Sequence, residues 1–223
     1  MLLPIPGSSA PQTRPRLVLP GAPDAGLARG RVHEFCGPAA LTLAAATLGQ
    51  DDGPVVWTFP AWTNGRINPP GLASLAHPGR LILARARRAE DILWTLEEAL
   101  RSGTVPIVVG ELPALPELTP VRRLQLAAEA GAEVARRDGT PAPVGLLLTP
   151  GDGGAAGIES RWHLAPRPSD PAQAAGGRRL WRLERRRARL APPAAWVLQR
   201  DGADGFSTTP VPPEGDQGPI PAT

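Results

Sequence analysis

The chain contains no lysine; all 24 of its basic residues are arginine. It also has no tyrosine, a single cysteine and only 4% aromatic residues. The lone cysteine, Cys36, excludes an intrachain disulfide and points to a reducing, cytoplasmic setting. No uninterrupted apolar run approaches the roughly 18 residues that a membrane span needs. The opening MLLPIPGSSAPQTR is broken by prolines before an apolar leader core can build, so no secretory signal is expected. His77 and His163 lie far apart with no nucleophile pattern beside either, which leaves Ser-His-Asp or Cys-His catalysis without support.

What is present is a chain of 223 residues, enough for one ordinary domain with tails, and rich in Gly (25) and Pro (29). The division expected is a Pro-rich tail over 1–25, with at most one short strand at Arg16–Leu19, a domain over 26–200, and a Pro/Gly/Asp-rich disordered tail over 201–223. The net charge of +3 is unevenly placed, because RRLWRLERRRARL (178–190) carries seven arginines and one glutamate. A basic segment on a mildly acidic body suits a contact with nucleic acid or with an acidic protein.

From Arg31 onward, short apolar runs alternate with helical patterns. Strands are expected at Val32–Cys36, Val55–Phe59, Arg80–Ala86, Val105–Gly110 and Val144–Thr149. Residues 89–101 place Ile92, Leu93, Leu96, Ala99 and Leu100 on one helical face and Glu90, Glu97, Glu98 and Arg101 on the other, with Ser102-Gly103 as the stop. A second helix is expected from a Thr119 cap and Pro120 at its first position to about Arg137. After a flexible loop at 151–157, antiparallel strands are expected at Glu159–Ala165, Leu180–Leu190 and Ala195–Arg200, although the arginine-rich run 180–190 also suits a helix. The order implies an α/β fold with a mostly parallel central sheet flanked by helices.

The segment GLARGRVHEFCGPAALTLA (26–44) reads as strand, Gly37-Pro38 break and helix, the setting of a G-x-x-x-x-G-K-[ST] phosphate loop. Counted from Gly37, the second glycine is Thr42, the lysine Leu43 and the hydroxyl residue Ala44. The groups that reach the phosphates and the magnesium are thus missing. The scaffold is expected to persist and hydrolysis to be lost, with Gly37-Pro38 more a tight turn than a phosphate cradle.

His33, Glu34 and Cys36 resemble metal ligands, but on a strand His33 faces away from the other two, so no metal site is expected. Arg178, Arg179, Arg182, Arg185, Arg186, Arg187 and Arg189 around Trp181 read either as a solvated face or as a docking surface with a stacking platform for DNA or a protein. Trp57, Trp94, Trp162 and Trp196 read as core or interface anchors. Trp62, in the long loop 60–79, is a candidate partner contact.

GLARGRVHEFCGP, NPPGL, the run from RRAEDILW to LAAEAG, PVGLLLTPGDGG with ESRWHLAP, and WRLERRRARLAPPAAW together resemble the RecA ATPase core and, more closely, the ImuA family. That resemblance spans about residues 26–200 and implies a RecA-like, P-loop-type fold. It further implies a cytoplasmic, nucleoid-associated role in the SOS response. Its partners there would be an ImuB-like relative of Y-family polymerases and an error-prone replicative-type polymerase, with RecA or DNA as further contacts. By the same resemblance, Gly110 stands where the Walker-B aspartate belongs, Glu111 comes one residue late, and PAWTNGRINPPG (60–71) has no catalytic acid. The DNA-gripping loop corresponds to Gly151–Gly157, which has no arginine. The expectation is a non-enzymatic adaptor without cofactor. Two rivals remain: a divergent ATPase using Arg66 or Arg161 for the lysine, and a SulA-like cell-division inhibitor.

Overall fold

The computed structural model describes residues 15–63, 67–168, 177–202 and 205–211. The strands are β1 (Arg16–Leu19), β2 (Ala22–Ala28), β3 (Arg31–Cys36), β4 (Val55–Pro60), β5 (Leu81–Ala86), β6 (Ile107–Glu111), β7 (Val144–Leu148), β8 (Ser160–Arg167), β9 (Arg178–Ala188), β10 (Ala194–Asp201) and β11 (Phe206–Val211). The helices are α1 (Ala40–Leu48), α2 (Pro69–Ala73), α3 (Ala89–Ser102) and α4 (Leu118–Asp138), and a 3-10 turn spans Pro78–Arg80. Nine strands form one sheet in the order β11-β10-β9-β8-β3-β7-β6-β4-β5. Neighbours from β8 through β5 are parallel and those from β8 through β11 antiparallel. The alternating α/β reading and the antiparallel C-terminal end therefore hold, and the arginine-rich run is a strand.

Two cores sandwich the sheet. On one face Phe35, Trp57, Val109 and Leu146 pack with Leu43 of α1 and Leu72 of α2. On the other, Val32, Val108 and Leu147 pack with Ile92, Leu96 and Leu100 of α3 and with Leu124 of α4. The period-two alternation of β3, β6 and β7 feeds both cores, because these three strands are buried on both sides. The four-residue spacing of Ile92, Leu96 and Leu100 puts them on one stripe of α3, each fully buried and worth about 1.5–3 kcal/mol. Helices α3 and α4 cross at Gly131, where a Cβ would run into the Leu100 carbonyl oxygen, so the close approach requires glycine.

Four sequence expectations change. Residues 16–28 are not tail: β1 and β2 pair as an antiparallel hairpin whose Leu17, Leu19, Ala25 and Leu27 are buried in the first core. Residues 206–211 are likewise β11, the sheet's edge strand, where Pro210 is tolerated because an edge leaves one side unpaired. Helix α4 is capped at Glu117 without a side-chain bond and begins at Leu118, which puts Pro120 in its third position. Glu97 is not on a solvated face: it is buried and paired with Arg101 and with Arg123 of α4. Residues 1–14 and 212–223 lie outside the described residues. Among the described residues no helix is long and apolar enough to cross a membrane.

Candidate functional site

The turn joining β3 to α1 consists of Gly37, Pro38 and Ala39. Gly37 takes φ 88°, a conformation that strains any residue bearing a Cβ. Its N–H donates to Gly151 O (2.8 Å), Ala39 N–H to Leu164 O (3.0 Å) and Ala40 N–H to Gly37 O (3.1 Å). Pro38 has no N–H to offer. An anion at a helix start needs unspent amides, and at this turn they are used on carbonyls. A Cβ on Gly37 would stand 2.6 Å from the His163 ring and 2.7 Å from Leu164 O, so the imidazole closes over the turn. Leu43 and Ala44 are buried in the core, and Thr42 lines a shallow recess with Leu41, Trp57 and Leu72.

Gly110 packs against Leu96 on the α3 side, where a Cβ would lie 2.6 Å from Leu96 Cδ1. Glu111 points to the other face and accepts a hydrogen bond from the Trp57 indole N–H at 2.6 Å. Burial pushes its pKa up and that bond pulls it down, leaving it raised. Gly110 and Glu111 thus face opposite sides, as strand alternation requires. Among the described residues no three His, Cys, Asp or Glu side chains cluster as a metal site.

The loop after β7 is anchored rather than loose, which corrects the reading of 151–157 as flexible. Glu34, with no solvent exposure, accepts from Thr149 Oγ1 (2.7 Å), Gly154 N (2.8 Å) and Ala155 N (3.1 Å), and its second oxygen accepts from Arg161 Nε. Arg161 also holds Ala155 O at 3.0 Å. A buried carboxylate must be paired and saturated with donors, and the loop backbone supplies them. Arg161 is therefore committed to Glu34, on the sheet face opposite α1. Arg66, the other lysine substitute considered, lies outside the described residues. Cys36 Sγ donates to Asp152 O at 3.2 Å, and burial followed by Glu34 pushes its pKa to about 11. His33 lies on the opposite face of β3 from Glu34 and Cys36.

His163 sits 3.4 Å from Asp152 and 3.7 Å from Glu184. Burial, then Arg186, nevertheless keeps its pKa below the ordinary value despite both acids, so at neutral pH neither contact is an ion pair.

The arginine strand divides between faces. Trp181 and Leu183 are buried in the first core, and Arg185 on that side lies over Trp162 and Trp196 at 5.7 and 5.4 Å. Arg178, Arg182 and Arg186 are tied to Asp201, Glu184 and Asp152. Arg189 is drawn to Glu159 at 3.8 Å. Arg179 and Arg187 are exposed. Trp181 is core and so offers no stacking face, and most of the guanidiniums already hold carboxylates. Trp57 and Trp162 are fully buried, whereas Trp62 and Trp94 stand 52% and 62% exposed.

One pairing had no signal in the sequence, because its two residues are 127 positions apart: Ser160 Oγ lies 2.6 Å from His33 Nδ1. His33 Nε2 meets Ala28 O at 3.0 Å, and Trp162 Nε1 donates to Ser160 Oγ at 2.8 Å. Burial lowers the His33 pKa to about 4, so the ring is neutral, Nε2–H donates to Ala28 and Nδ1 accepts from Ser160. A base so weak, facing a hydroxyl already engaged by an indole, is poorly matched to nucleophile activation at neutral pH. The trio is a satisfied buried polar chain.

No family profile matches the chain. The crystal structure of SulA from Pseudomonas aeruginosa superposes with a TM-score of 0.39 at 22% identity, covering 53% of this chain and 98% of that one. Protein ImuA of Caulobacter vibrioides, from strains NA1000 and CB 15, is 35% identical over 202 residues, 81% of this chain and 79% of the relative. With that likeness across most of both proteins, the chain belongs to the ImuA family.

Proposed function

We propose that this protein is a non-catalytic, RecA-like adaptor of damage-induced mutagenesis, which brings an ImuB-like partner and an error-prone replicative-type polymerase together during lesion bypass. Family membership supports the setting. The observation that carries the non-catalytic half is the closed turn at Gly37: spent amides, an imidazole seated against it, and Leu43 and Ala44 in the core where a lysine and a hydroxyl would be needed. The placement of β3, turn and α1 beside β7 supports reading the scaffold as RecA-like. The divergent-ATPase alternative loses its described candidate, because freeing Arg161 would strand the Glu34 carboxylate in the core.

Two measurements test this. Calorimetric titration with ATP and magnesium should show no saturable heat, and the purified protein no hydrolysis above background. Co-expression with the ImuB-like and polymerase proteins should yield a complex surviving size-exclusion chromatography. Stoichiometric ATP binding that Gly37→Val abolishes refutes the first half; failure to co-purify with either partner refutes the second.

A further inference from the structure

A cavity of about 630 Å³ opens between the β1–β2 hairpin and the edge where β3, β8 and β9 meet. It lies at the N-terminal end of β3, away from the Gly37 turn. Its volume is in the range that takes a drug-sized group. Arg16 of β1 and Arg185 of β9 both line it, together with the buried His33, Ser160 and Trp162 and the exposed Leu190.

The charge in this cavity is unbalanced. Arg31 is held by Glu129 and Glu159, and Arg189 by Glu159. Among the described residues, Arg16 donates one side-chain hydrogen bond, to Gly26 O at 2.8 Å, and Arg185 one, to Pro192 O at 2.9 Å. Among the described residues neither has a carboxylate partner. Asp24 also lines the cavity but is exposed on the hairpin and pairs with neither. Burial, then the charge of Arg16, lowers the Arg185 pKa, so two like charges bear on one space and an anion between them would offset that repulsion. Arg185 is stacked beside Trp162 and Trp196, which fixes its plane and favours a forked, bidentate contact with a planar carboxylate. The remaining wall includes Ala28, Ala188 and Ala191, and Leu190 is 91% exposed at the rim.

From this geometry we infer that the cavity is a docking pocket for an acidic segment of a partner protein, its carboxylate between Arg16 and Arg185 and an apolar neighbour against Leu190. A nucleic-acid strand fits less well, because its charges repeat along the backbone whereas the cavity offers one pair of arginines without carboxylate partners beside an apolar rim. The inference deepens the adaptor reading by naming the surface and the chemistry of the segment it takes.

Selection of a phage-displayed library of random short peptides on the full chain tests it, with Arg16→Gln/Arg185→Gln as counter-target after circular dichroism confirms its fold. Acidic-apolar peptides should be enriched on the natural chain alone. A synthesised winner should shift the Trp162 indole N–H resonance and bind the double variant about tenfold or more weakly. Leu190→Ser, at an exposed position that the core does not use, should also weaken it. Enrichment of no peptide, equal binding to both proteins, or displacement by a single-stranded oligonucleotide but not by free glutamate overturns the proposal. Because the readout needs only the isolated protein, a silent pocket in a chain that still co-purifies with its partners refutes this inference and leaves the adaptor reading standing.

Discussion

Arg161 donates from Nε to a Glu34 carboxylate that no solvent reaches. The pair joins β3 to β8 and, through the second carboxylate oxygen, fixes the loop after β7. Removing one partner leaves an uncompensated charge in the core. Arg161→Met should therefore cost about 3–5 kcal/mol in urea unfolding, and Glu34→Met with Arg161→Met less than the sum of the single changes. Additive losses would show that the two side chains act independently.

His33 sets a pH limit on stability. Its pKa is about 4 in the folded protein against 6.5 unfolded, with burial as the main cause. Between those values the unfolded chain binds more protons, so its contribution is complete above about pH 6.5 and is lost as pH falls towards 4. The loss should reach about 3 kcal/mol. Thermal unfolding across that range measures it, and His33→Gln should flatten the slope in the same window.

Gly37→Ala combines a strained φ with a clash against the His163 ring. It should destabilise the protein by about 1–3 kcal/mol. His163→Ala should recover only part of that, because Leu164 O crowds the same Cβ. Full rescue would mean that the backbone conformation itself carries no strain.

The exposed arginines separate docking from folding. Arg179→Ala with Arg187→Ala should leave stability within about 0.5 kcal/mol. If the chain binds single-stranded DNA through them, the same change should reduce the dependence of affinity on salt by about one to two phosphate contacts. Arg186→Ala, by contrast, removes the partner of Glu184 and Asp152 and should lower stability measurably.

The parts of this fold legible in the sequence are those whose reason is local. The apolar runs of β3, β6 and β7, the four-residue spacing in α3 and the tight Gly37-Pro38 turn can each be read without knowing what lies beside them. β2 and β11 could not. Ala22–Ala28 contains Pro23, Asp24 and Gly26, and Phe206–Val211 contains two threonines and Pro210. Neither has an apolar run, and each is ordered by the strand it pairs with, β2 by β1 and β11 by β10, while Thr208 Oγ1 of β11 donates to Gly21 O in the β1–β2 turn at 2.5 Å. The charged segment misled for a similar reason. A count of charges along the run does not reveal Asp201 on the neighbouring strand or Asp152 in the loop after β7, which with Glu184 of the run itself neutralise three of the arginines. The cavity between Arg16 and Arg185 was invisible because its walls come from three distant stretches of chain.

Cys36 offers an experimental handle. Its sulfur is sealed beneath the loop, bonded to Asp152 O and within 2.9 Å of where a Cβ on Gly153 would sit. A thiol reagent can attack only when residues 151–157 lift away, and no second cysteine competes. The rate of alkylation under native conditions is therefore a built-in clock for that opening, and its acceleration on binding a partner would reveal which ligands pry the loop apart.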